Sequence, residues 1–154
     1  MSETRTASCC CGELTMTVRG EPERIIRCHC DYCQRRTGSV FQVSCWYYDD
    51  QVVERTGAGT IFNEGPNNPG IDYVFCPRCG STVYWEFRAL APFLGGNQLY
   101  GIAVGNFVET DFPAPNLDAE NDSRHHWIDE LPGLEPHPRQ PPQEAMVPSR
   151  AKFS

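Results

Sequence analysis

Nine cysteines among 154 residues constrain this chain more than any other feature of its sequence. Eight of them fall into three short clusters, at residues 9–11, 28–33 and 76–79. The chain opens on Met-Ser-Glu-Thr-Arg-Thr-Ala, without the apolar segment of a signal peptide, which predicts a cytoplasmic and reducing location. In that setting, clustered cysteines bind metals or take part in reactions more often than they form disulfides.

The cluster at residues 76–79 is typical of a zinc-binding turn. In Cys-Pro-Arg-Cys-Gly, a tight turn directs both thiolates at one ion, and Gly80 lets the backbone pass the sulfurs. Structural zinc takes four protein ligands, and the Cys-x-Cys spacing at the N-terminus supplies two more, with Cys10 facing away. We therefore predict one closed site, here called the quartet, made of Cys9, Cys11, Cys76 and Cys79. The remaining cluster, here called the trio, is made of Cys28, Cys30 and Cys33.

The trio is one protein ligand short of a closed zinc site. His29 lies between two of its cysteines and is expected to point away, whereas Cys45, His125 and His126 are more distant alternatives. Cys45 lies in an apolar run, which favours a small buried side chain. We expect instead a fourth position that is open to water or substrate, as in catalytic zinc sites. A zinc-bound thiol is deprotonated and remains nucleophilic, so the expected chemistry is addition of a thiol to a carbon electrophile.

The charge of the chain limits its partners. A net charge of -7 disfavours binding to a phosphate backbone, so no nucleic-acid partner is expected. The uncharged stretch from Ala89 to Val108 contains one proline and four glycines, which favours a turn between two β-segments over a membrane span. No membrane partner is therefore expected.

A local excess of positive charge surrounds the trio. Four arginines lie within thirteen positions: Arg24, Arg27, Arg35 and Arg36. A small thiol such as glutathione carries carboxylates, which arginine binds through paired hydrogen bonds. Arg35 and Arg36 are the predicted contacts of those carboxylates, and the alternative is that these arginines only solvate a loop.

Short alternating runs predict a mainly β domain of antiparallel meanders. Alternation places Leu14, Met16 and Val18 on one face of a strand, with polar residues on the other. Further strands are predicted at residues 40–48, 51–55, 59–62, 71–75, 81–87 and 99–107. Six prolines follow residue 131, which predicts a β domain over residues 1–130 and a Pro-rich tail over residues 131–154 that continues neither sheet nor helix.

The three clusters, taken in order, resemble the glutathione-dependent formaldehyde-activating enzyme family, which includes the zinc domain of centromere protein V. The resemblance rests on Cys-x-Cys-Gly at residues 9–12, Cys-His-Cys-x-x-Cys-x-Arg at 28–35 and Phe-Cys-x-x-Cys-Gly-Ser at 75–81. It covers roughly residues 7 to 112. The fold that it implies is mainly β, with several coiled antiparallel sheets forming a zinc-stabilised β-tent.

The resemblance also implies two zinc ions per chain and a reaction. The structural ion is assigned to Cys9, Cys11, Cys76 and Cys79, and the catalytic ion to Cys28, Cys30 and Cys33. The implied enzyme is a carbon-sulfur lyase that reversibly adds glutathione to formaldehyde, giving S-(hydroxymethyl)glutathione. The alternative is a non-catalytic, zinc-stabilised binding domain or a carrier of thiol or formaldehyde.

Overall fold

A computed structural model describes residues 3–148, which form two β-sheets and short helices. The strands are β1 (Thr4–Ser8), β2 (Thr15–Arg19), β3 (Arg24–Cys28), β4 (Gln42–Tyr48), β5 (Val52–Thr56), β6 (Thr60–Phe62), β7 (Asp72–Phe75), β8 (Thr82–Glu86), β9 (Leu99–Ala103) and β10 (Leu117–Ala119). The α-helices are α1 (Asp31–Thr37) and α2 (Gln143–Met146), and 3-10 turns cover Asp49–Gln51, Arg88–Phe93, Val104–Phe107 and Asn121–Ser123. The predicted mainly β fold class is confirmed.

The two sheets differ in size and in strand direction. The smaller sheet has the order β1-β2-β5 and is antiparallel. The larger sheet has the order β10-β3-β4-β9-β8-β7-β6, and its neighbours are antiparallel except for the β10–β3 pair. That parallel pair brings residues 117–119 alongside Ile26, Arg27 and Cys28, more than ninety positions earlier in the chain.

Alternate residues of the larger sheet enter two separate cores. On β4, Trp46 and Tyr48 join one core, whereas Cys45 and Tyr47 join the other, because successive side chains of a strand point to opposite faces. The second core lies against the smaller sheet and contains the predicted face of Leu14, Met16 and Val18. Cys45 is fully buried there, as predicted.

A glycine on β9 leaves room for the indole ring of Trp85, which packs against that strand. A Cβ atom at Gly101 would lie 2.0 Å from Trp85 Nε1, so no larger residue fits at this position of β9 without displacing the ring. Gly101 pairs directly with Trp85 in the sheet register. The indole ring of Trp85 lines the candidate site described below.

Five strands and α-helices lie outside the sequence predictions: β1, β3, β10, α1 and α2. In β3, Ile25, Ile26 and Arg27 are all buried, so the strand has none of the alternation by which half-buried strands are recognised. Helix α1 buries no residue and therefore has no apolar stripe. Of the predicted strand over residues 99–107, β9 keeps the first five residues and a 3-10 turn takes the rest.

The proline-rich segment packs on the larger sheet. His137 N–H donates to Asp118 O at 3.0 Å, and Met146 and Val147 are buried in the first core. The expectation that this segment forms no helix is wrong over one turn, because α2 begins directly after Pro142, where a missing N–H costs no hydrogen bond. Residues 149–154 of the predicted tail lie outside the described residues.

Candidate metal centres

The quartet comes together from two distant turns of the chain. The ligand atoms of its four cysteines all lie within 4.8 Å of one another. Cys11 Sγ is 3.6 Å from both Cys9 Sγ and Cys76 Sγ. A metal bound tetrahedrally with bonds of about 2.3 Å would hold its sulfurs about 3.8 Å apart, so these separations fit one ion. The quartet could hold a metal ion between the β1–β2 turn and the β7–β8 turn.

Local hydrogen bonds shape both turns around the sulfurs. Leu14 N–H donates to Cys9 Sγ at 3.2 Å, and Gly80 N–H donates to Cys76 O at 2.7 Å. Cys10 is exposed and outside the quartet, as expected, but residues 9–12 form a turn and not the extended segment on which that expectation rested. The Gly12 N–H, which donates to Cys9 O at 3.1 Å, closes this turn.

The trio is local in the sequence, since six residues contain it. Cys28 ends β3, Cys30 is the N-cap of α1, and Cys33 lies in the first turn of that helix. The three ligand atoms lie within 4.8 Å of one another, and Cys33 N–H donates to Cys30 Sγ at 3.3 Å. The trio could therefore also hold a metal ion.

The pKa values of the trio's thiols are those expected of a group that binds a cation. The hydrogen bond from Cys28 lowers the pKa of Cys30 to about 2, and the same contact raises the pKa of Cys28 far above its ordinary value. Without a positive charge among them, one of the sulfurs ionises at the expense of another. A bound cation removes this conflict, because it favours the thiolate of every ligand.

Within residues 3–148, no fourth histidine, cysteine, aspartate or glutamate completes the trio. Three of the four alternatives named from the sequence have partners elsewhere, and the fourth is exposed. His29 Nε2–H donates to Asp118 Oδ1 at 3.1 Å, and Cys45 Sγ contacts Ile102 O at 3.6 Å in the second core. His125 Nε2 pairs with Gln34 Oε1 at 2.9 Å, and His126 is exposed.

A buried charge pair, missed from the sequence, stands behind the trio. Arg27 Nε and Nη2 donate to the two carboxylate oxygens of Asp118, both at 2.8 Å. Burial raises the pKa of Asp118, but the paired bonds from Arg27 outweigh this effect, and the pKa lies below its usual value. The only sequence signal was an arginine inside an apolar β segment, Ile25-Ile26-Arg27, since buried arginines need a partner.

The four arginines that lie close to the trio in the sequence have different surroundings. Arg27 is committed to Asp118. Arg36 lies over the rings of Tyr73, at 4.3 Å, and Trp85, at 5.2 Å, and its Nη2 donates to Gln42 Oε1. Arg35 is exposed in the last turn of α1, and Arg24 is half-buried on β3.

A cavity of about 430 Å³ opens beside the trio, and all three cysteines line it. Strands of the larger sheet, the Arg88–Phe93 turn and residues 140–146 enclose it. Its wall is largely apolar and includes Tyr32, Trp46, Tyr73, Trp85, Phe87 and Met146. The trio therefore borders a space of the size that takes small organic molecules.

One protein-family model matches most of this chain. The family model described as glutathione-dependent formaldehyde-activating enzyme matches residues 4–126. A solved structure of a Rhodobacter sphaeroides protein, a structural-genomics target, is similar at 21% identity and a TM-score of 0.45, over 66% of this chain and 85% of that one. No curated protein shows significant similarity. Between residues 3 and 148, no helix has the length and apolar character needed to cross a membrane.

Proposed function

Because the chain belongs to the glutathione-dependent formaldehyde-activating enzyme family, we propose that it is a carbon-sulfur lyase acting on thiols. It adds glutathione, or a similar small thiol, reversibly to formaldehyde or a related carbon electrophile. The trio is the reactive centre and binds one zinc ion, and the quartet binds a second, structural zinc ion. Residues 1–130 form the two-zinc domain and residues 131–154 its Pro-rich tail.

One observation carries this proposal: the three cysteines of the trio line a cavity, and no fourth ligand from the described residues completes their site. Three thiolates suit zinc and leave one position for an exogenous thiol. A zinc ion bound there would lower the pKa of that thiol. The quartet has its four ligands already and therefore suits a structural role.

The proposed reaction needs little from the protein beyond a deprotonated sulfur held beside the electrophile. The sulfur electron pair forms a bond to the carbonyl carbon, and the C=O π pair moves to oxygen. The oxygen takes up the proton that the thiol has released, so atoms and charge balance without a redox partner. A free thiol with a pKa near 8.5 is only about 3% ionised at pH 7, so complete ionisation is worth up to about thirtyfold in rate.

We expect the protein to accelerate exchange between formaldehyde and glutathione, measured by exchange NMR. The acceleration should be largest below the pKa of free glutathione, up to about thirtyfold at pH 7. Cys30→Ser should abolish it, whereas Cys10→Ser should retain it, because Cys10 is exposed and outside both clusters. Exchange rates that equal the protein-free rate for all three proteins would exclude catalysis and leave a carrier or a binding domain.

Glutathione binding should depend on the arginines of α1. We expect Arg35→Ala to weaken binding by roughly 0.2–1 kcal/mol, as for an exposed charge pair. Arg36→Ala should cost about 2–5 kcal/mol if Arg36 meets a desolvated carboxylate. Calorimetry at two salt concentrations measures both effects, with the metal content unchanged. Arg19→Ala, in the smaller sheet, is the matched control; affinities unchanged in both α1 variants would contradict the assignment.

A further inference from the structure

The cavity beside the trio is much larger than formaldehyde requires. Formaldehyde has one heavy atom more than water, whose share of liquid volume is about 30 Å³. The cavity measures about 430 Å³, which lies within the range of pockets for organic ligands. Formaldehyde would leave most of this apolar space to poorly bonded water.

The cavity wall also disfavours the charged groups of glutathione. Within residues 3–148, Glu120 is the charged residue of the wall, and no arginine, lysine or histidine joins it. Buried carboxylates need a positive partner, so those of glutathione would be unpaired in the cavity. The α1 arginines suit them better: Arg35 is exposed, and Arg36 lies over the wall residues Tyr73 and Trp85 without itself lining the cavity. The space is therefore left to the other reactant.

One polar group of the wall lacks a partner. Trp46 is 4% exposed, and its Nε1–H meets no acceptor among the described residues. An unpaired buried donor costs free energy, so a ligand acceptor that reached it would recover that cost. A carbonyl oxygen is such an acceptor. The wall thus combines many aromatic rings with a few polar side chains, such as Gln42 and Ser44, which suits an aromatic carbonyl compound.

We infer that the cavity binds an aldehyde carrying an aromatic group and that this aldehyde, in preference to formaldehyde, is the electrophile. The inference rests on the proposed function and names its second substrate class. The thiol sulfur bonds to the aldehyde carbon, the C=O π pair moves to oxygen, and that oxygen takes the thiol proton. The product is a hemithioacetal, with the aromatic ring still in the cavity.

Binding is tested with unreactive carbonyl analogues on the metal-loaded protein. Benzamide, 4-methylbenzamide and 4-ethylbenzamide are titrated by calorimetry, with acetamide as the small analogue. We expect affinity to rise by up to about fourfold for each added methylene that is buried, and acetamide binding to be undetectable. Equal affinities for 4-ethylbenzamide and acetamide would overturn the inference.

Two variants locate the bound ligand. Met146 and Val147 are each 2% exposed in the same core, but Met146 lines the cavity and Val147 does not. Met146→Ala should weaken 4-ethylbenzamide binding by about fivefold to tenfold, and Val147→Ala should leave it unchanged. Trp46→Phe should weaken the binding of 4-ethylbenzamide but not that of ethylbenzene, which has no carbonyl group. Equal effects of the two alanine variants would overturn the inference.

Rates separate this inference from the proposed function. We expect the protein to accelerate the addition of glutathione to 4-methylbenzaldehyde more than its addition to formaldehyde. Met146→Ala should reduce that preference. Acceleration of formaldehyde alone would keep the proposed function and overturn the inference. If the protein accelerates the reaction of neither aldehyde, both the proposed function and the assignment of the electrophile are overturned. The amide titrations would still report whether the cavity binds aromatic carbonyl compounds.

Discussion

Cys76→Ser is expected to unfold the protein, whereas Cys30→Ser should lose one metal ion and keep its fold. The quartet lies between the turn after β1 and the turn after β7, so an ion bound there would link the two sheets across 65 sequence positions. Apparent binding free energies of structural zinc are about 10–16 kcal/mol, which exceeds the stability of many domains of this size. The trio spans only a six-residue segment, so an ion bound there would contribute little to holding distant parts together.

Circular dichroism and metal analysis of purified variants test this difference. Cys76→Ser should lose the native β spectrum or accumulate as insoluble protein. Cys30→Ser should retain the spectrum with one equivalent of zinc instead of two. Cys10→Ser, which alters an exposed thiol in the same turn as Cys9 and Cys11, is the control and should keep both ions. Complete unfolding of Cys30→Ser would show that the assignment of structural and reactive sites is wrong.

Asp118→Asn is expected to reduce the free energy of unfolding by about 3–5 kcal/mol, because Arg27 would lose its buried counter-charge. Asp118 is 1% exposed and accepts from Arg27 and His29. Asp122→Asn, an exposed substitution on the same segment, should change stability by less than about 0.5 kcal/mol. Urea unfolding at pH 7 measures both values, and equal stabilities would contradict a role for the pair.

The pH dependence of stability gives a second readout for Asp118. Its pKa is lower in the folded protein than the ordinary value of 3.8, so the folded state favours the carboxylate. The resulting stabilisation is complete above the unfolded pKa and disappears as the pH falls through the folded pKa. Between about pH 5 and pH 3, the wild type should therefore lose more stability than Asp118→Asn.

The sequence indicated the two candidate sets of metal ligands because cysteine spacing is a local property. Six residues contain the trio, and the Cys-x-x-Cys turn at residues 76–79 defines half of the quartet. The partition into four and three followed from coordination number, and the structure gathers the same two sets of sulfurs. Alternating strands such as β2 were also predictable, because burial on one face leaves a period of two in the sequence.

The surroundings of the trio depended on the tertiary structure. The parallel pairing of β10 with β3 places Asp118 beside Arg27, although 91 positions separate them and neither side chain follows a periodic pattern. The cavity is likewise assembled from the larger sheet, the Arg88–Phe93 turn and residues 140–146. The sequence by itself determined which atoms can bind a metal, since ligand spacing is local. Only the tertiary structure decided what those atoms face, because contacts between distant segments leave no signature in the spacing of either one.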